Sequence, residues 1–94
     1  MKFTIACQRA VIGNDIDLEI EAEIGEAMFA VICTLDGFEI STDDLRETPV
    51  VSFHRTFSQV GEAGPGETHK LLVEVRGKNG DPSRFASRIW TDRT

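Results

Sequence analysis

Asp15-Ile16-Asp17-Leu18-Glu19-Ile20-Glu21-Ala22-Glu23-Ile24 alternates acidic and apolar residues without a break. A period of two marks a β-strand, because successive side chains leave its backbone on opposite faces. A helix would scatter the carboxylates around its axis. A strand gathers Asp15, Asp17, Glu19, Glu21 and Glu23 on one face and Ile16, Leu18, Ile20, Ala22 and Ile24 on the other. One face is therefore wet and the other buried, as in an antiparallel sheet packed on a core.

Upstream, Phe3 to Cys7 reads as a first strand, with Phe3, Ile5 and Cys7 on one face, and Ala10-Val11-Ile12 extends it after a bend. Gly13-Asn14 is expected to turn into the acidic strand, since both residues tolerate positive φ. Downstream, Gly25-Glu26 breaks the pattern before Met28 to Leu35, a continuous apolar run expected in mid-sheet and covered on both sides. Asp36-Gly37 then predicts a two-residue hairpin into Phe38-Glu39-Ile40. Ser41 to Leu45 opens with capping residues and acids, enough for one helical turn before Pro49 restores extended backbone.

Pro49 to Val60 is the next expected strand, with Val51, Phe53 and Phe57 inward. Arg55 falls on that apolar side, which calls for a bulge or an edge position from which its guanidinium reaches water. Gly61 to Gly66 forms a corner, His69, Leu71, Val73 and Val75 line the inner face of another strand, and Asn79-Gly80 signals a hairpin. Arg84 to Thr91 closes the sheet, with Phe85 and Ile89 expected inward and Arg84, Ala86, Arg88 and Trp90 outward. Six or seven short strands with turn signals and no long helical pattern make an antiparallel β-sandwich. No linker or repeat divides the chain, so residues 1–94 read as one domain.

Sixteen acidic against ten basic side chains leave a net charge of −6. That balance opposes both a phosphate backbone and an anionic membrane surface, so neither nucleic acid nor membrane insertion is expected. No apolar run is long enough to cross a bilayer, and Gln8 and Arg9 interrupt the N-terminal apolar stretch before a secretory signal could form. A cytoplasmic location is the default expectation. Cys7 and Cys33 both lie in strand-like apolar segments and are expected as buried thiols rather than a disulfide.

No arrangement carries catalytic chemistry. Carboxylates two apart on a strand stand about 6.6 Å from one another, too far to share a calcium ion. Their mutual repulsion is about 0.6 kcal/mol per adjacent pair in water, which a small domain tolerates, and His54 or Arg55 on a neighbouring strand would offset part of it. His54, His69, Cys7 and Cys33 lack the spacing of a zinc site, and nothing places an orienting carboxylate or oxyanion donor beside Cys33. No catalytic residue, metal or cofactor is expected. Two surfaces remain: the acidic row, centred on Glu19 and Glu21, and the outward side of the last strand, where Arg84, Arg88 and Trp90 have the composition of an interface hot spot.

The segment Pro65-Gly66, then His69-x-Leu71-x-Val73-x-Val75, then Asn79-Gly80 and a final strand, resembles the closing hairpin of bacterial immunoglobulin-like and fibronectin type III-like domains. The resemblance implies an immunoglobulin-like sandwich. The paired cysteines of antibody domains are not in place, and His69 stands where a corner aromatic would be expected. The reading is a non-enzymatic domain that binds a protein partner, with self-association through an exposed edge as the alternative.

Overall fold

In the computed structural model, residues 2–10, 13–23, 26–58, 68–78 and 83–91 are described, with the backbone alone for 6–10, 13, 14, 90 and 91. They form seven strands: β1 (Lys2–Ala10), β2 (Gly13–Glu21), β3 (Ala30–Leu35), β4 (Phe38–Asp44), β5 (Ser52–Phe57), β6 (Thr68–Arg76) and β7 (Arg84–Thr91). A three-stranded sheet in the order β1-β2-β5 faces a four-stranded sheet in the order β4-β3-β6-β7, and every pairing is antiparallel. The fold is an all-β sandwich.

The acidic strand takes the central place in the first sheet. Ile16, Leu18 and Ile20 are fully buried, so the alternation divides the strand as its period requires. The second sheet supplies Val31, Cys33, Leu35, Leu71, Val73 and Val75, and Met28 closes one end of this core. Phe3, Ile5 and Phe53 pack on it from the flanking strands of the first sheet. Met28 and Val50 exchange backbone hydrogen bonds of 2.7 and 3.2 Å, tying the approach to β3 to the approach to β5.

Several boundaries differ from expectation. Gly13 and Asn14 do not turn; they are the first residues of β2, paired with Ala10 and Arg9, because the ladder continues to the end of the hairpin. Residues 11 and 12, and Ile24 at the far end of the acidic run, lie outside the described residues, as do the Gly61 to Gly66 corner and Asn79-Gly80. Ser41 to Asp44 belongs to β4 and not to a helical turn. One turn of helix fixes several dihedrals for a single hydrogen bond, whereas β3 offers a whole ladder edge.

The β3 run is mid-sheet as expected, yet it is not covered on both sides: burial alternates along it, with Ile32 and Thr34 half-exposed on the outer face. Asp36 and Gly37 make the foreseen two-residue turn, both in the left-handed region at φ 52° and 85°. Arg55 takes the edge solution, since β5 ends the first sheet.

The last strand departs most. Its boundaries match the expected Arg84 to Thr91, but its faces are inverted. Register sets Arg84, Ala86 and Arg88 beside the buried Val75, Val73 and Leu71 of β6, and Phe85 and Ile89 beside Glu74 and Lys70 on the outer face. Phe85 and Ile89 are accordingly 59% and 64% exposed. The inner face of β7 looks across an open cleft to β1, where Arg88 reaches the Ile5 carbonyl, and so buries no apolar row.

Candidate interaction surfaces

On the outer face of the first sheet, β2 displays its carboxylates between two flanking strands whose residues stand directly opposite. Lys2 and Thr4 of β1 face Glu21 and Glu19, and Ser52, His54 and Thr56 of β5 face Glu21, Glu19 and Asp17. The expected partner for the acidic row is thus His54, while Arg55 opposes Leu18 on the inner face. Thr56 Oγ1 donates to Asp17 Oδ1 at 2.6 Å. Glu19 and Glu21 are exposed and, with Lys2 and Thr4, line a shallow hollow. From Ile16 to Glu21 β2 is paired on both sides, so what this stretch presents outward is side chains.

The second expected surface is not assembled as foreseen. Arg84 and Arg88 leave β7 toward the first sheet and act within the chain: the Arg84 guanidinium pairs with Glu26, and Arg88 Nη1 donates to the backbone carbonyl of Ile5 at 3.4 Å. The outward side belongs to Phe85, Ser87 and Ile89. Trp90 occupies the register position opposite His69, and its side chain lies outside the described residues. Between the edges of β1 and β7 lies an open cleft of about 410 Å3, lined by Phe3, Ile5, Ala86 and Arg88 among others.

Two polar pairs that the sequence reading did not find pin the sandwich. His69, only 6% exposed, holds Nδ1 at 2.6 Å from Asp36 Oδ2, while the Lys70 backbone N–H donates to Asp36 Oδ1 at 2.8 Å. The β3–β4 turn is thereby fastened to β6. Burial works against ionisation of Asp36, but the bonds from His69 and Lys70 outweigh it and hold the carboxyl below its ordinary value. At the opposite side, Arg55 Nη1 reaches from β5 to both Asp43 oxygens on β4, at 2.8 and 2.9 Å, and its guanidinium sits 5.0 Å from the centre of the Phe57 ring. The only local signal for either pair was a charged or imidazole side chain on an otherwise apolar face.

Cys33 is a buried free thiol. Burial pushes its pKa up, and the neighbouring Ser41 hydroxyl acts in the opposite direction without offsetting it. That hydroxyl is itself buried without a well-formed hydrogen bond. The side chain of Cys7 lies outside the described residues. His54 stands on the outer face of the first sheet and His69 on the inner face of the second, and among the described residues no group of three potential ligands could hold a metal ion.

Of the six phenylalanines, expected mostly inward, Phe57 is buried and Phe3 and Phe53 pack on the core, whereas Phe38 joins Phe85 in the open at 76% exposure. No family model, no curated protein and no solved structure matches the chain.

Proposed function

We propose that the chain is a non-enzymatic interaction domain whose acidic β2 face docks a protein partner with a basic surface. The observation that carries this reading is the exposure of Glu19 and Glu21 on the outer face of a central strand that is paired on both sides at these positions. A rigid row of like charges at fixed spacing steers and orients an oppositely charged partner. The non-enzymatic part is supported by the use of Cys33 and His69 within the fold, one as a buried thiol of raised pKa and the other as a buried ring held by Asp36.

Strand order supports the likeness to immunoglobulin-like and fibronectin type III-like domains. The first, second and fifth strands form one sheet, and the third, sixth and seventh lie together in the other. The fourth strand sits beside the third rather than in the first sheet.

The test compares proteins captured from a lysate by immobilised wild type, by the E19K/E21K variant, and by E39K, a charge reversal at an exposed position on the other sheet. A basic protein retained by wild type and E39K, released by salt and lost from E19K/E21K is the expected result. Equal capture by all three overturns the acidic-face reading.

A further inference from the structure

Among the described residues β7 ends its sheet, and this edge carries an unusual combination. Both of its faces are open, and two of the four large exposed apolar side chains among the described residues, Phe85 and Ile89, share its outer face. A long, regular, apolar edge is a template for pairing unless something guards it. The natural guards here, Arg84 and Arg88, lie on the opposite face: one is bound to Glu26 in the connection from β2 to β3 and the other to the Ile5 carbonyl of β1. Among the described residues nothing covers the edge or its apolar outer row.

We propose that two copies of the chain pair antiparallel through β7, with Ser87 opposite Ser87 of the second copy, joining two four-stranded sheets into one continuous sheet. The register follows from the side chains. A two-fold axis through Ser87 sets Phe85 opposite Ile89 of the second copy, and Ile89 opposite its Phe85, giving two aromatic and β-branched cross-strand pairs of the favourable kind. On the other face Ala86 comes opposite Arg88 and Arg84 opposite Trp90, so no two cations stand directly opposite each other.

Moving the axis by one residue along the strand sets Arg84 opposite Arg88 in one direction and Arg88 opposite Arg88 in the other, and in both it separates Phe85 from Ile89. A one-residue slip between the strands would bring outer side chains against inner ones. The pairing through Ser87 also engages β7 from Arg84 to Trp90. The partner is therefore a second copy of this chain, on a surface separate from Glu19 and Glu21 and testable without them.

The experiment is sedimentation equilibrium from micromolar to millimolar protein on wild type, F85K/I89K, F85E/I89E and an equimolar mixture of the two variants, each checked for folding by circular dichroism. Wild type should dimerise with concentration. Each variant alone should weaken dimerisation at least tenfold, because like charges then stand opposite. The mixture should restore it, because lysines of one variant face glutamates of the other.

A wild type that stays monomeric throughout, a variant that dimerises as readily as wild type, or a mixture that stays monomeric overturns the proposal. Amide hydrogen exchange on wild type reads the same edge without substitutions. Amides of β7 should gain protection as concentration rises, and unchanged protection there is equally fatal to it.

Discussion

Asp36 shows how much one side chain carries in this fold. It occupies the left-handed region at φ 52°, a conformation that Asn and Asp accept more readily than most residues. Its two oxygens hold His69 and the Lys70 backbone. Since the folded carboxyl titrates below the ordinary value of 3.8, its contribution to stability is in place above that value and is lost as the pH falls through the lower folded one. Asp36→Asn keeps the backbone preference and removes the charge. Thermal melts of wild type and D36N should therefore differ at neutral pH, with wild type the more stable, and converge on acidification below about pH 4 as the carboxylate is protonated. A gap that stays constant with pH would show that Asp36 acts through shape alone. The turn itself was legible, because Asp-Gly between two apolar runs has a single favoured reading. Its partner was not, because His69 is distant along the chain and nothing local ties the two.

At the scale of the element, β2 and β7 make opposite lessons. In β2 the period of two assigns each residue a face, and burial follows it residue by residue. Leu18→Ala, at a fully buried position, should lower unfolding stability by about 2–5 kcal/mol, whereas Glu21→Ala on the exposed face should change it by no more than about 0.5 kcal/mol. Chemical denaturation of the two variants checks the contrast, and comparable losses would mean that the strand does not separate its faces as described. In β7 the same pattern is visible in sequence, with two apolar residues alternating against two arginines, and it assigns the wrong side. Alternation tells which residues share a face. It does not tell which face meets the core when a strand ends its sheet and neither side is deeply covered. Arg55 belongs to the same class: its position on an apolar face looked like a conflict in β5 until the edge of the neighbouring sheet placed Asp43 beside it.

For the molecule as a whole, stability depends on pairings between distant parts of the chain. Ile16 meets Phe57 across the β2–β5 ladder, and Leu35 meets Leu71 across β3–β6. Closing such loops costs entropy before the contacts form, so folding should take milliseconds to seconds, as it does for sandwiches dominated by non-local pairing. Stopped-flow refolding measures this directly, and a microsecond relaxation would mean that local hairpins, rather than the crossovers between sheets, limit the rate. The sandwich presents two surfaces of different kinds. One is charged and built on a strand with neighbours on both sides; the other is apolar and built on a strand that, among the described residues, ends its sheet.

The amino-acid sequence by itself determined the fold class, the existence of most strands, the Asp36-Gly37 turn and the division of β2 into an acidic and a buried face. Each of these depends on interactions within a few residues, where alternation and turn geometry act directly. Only the tertiary structure decided that β4 runs on through Asp44, that Arg84 and Arg88 take the inner face of β7 while Phe85 and Ile89 face out, and that Asp36 and Asp43 find His69 and Arg55. Those outcomes depend on which edge lies beside which, and on four strands covering three, and no local pattern carries that information.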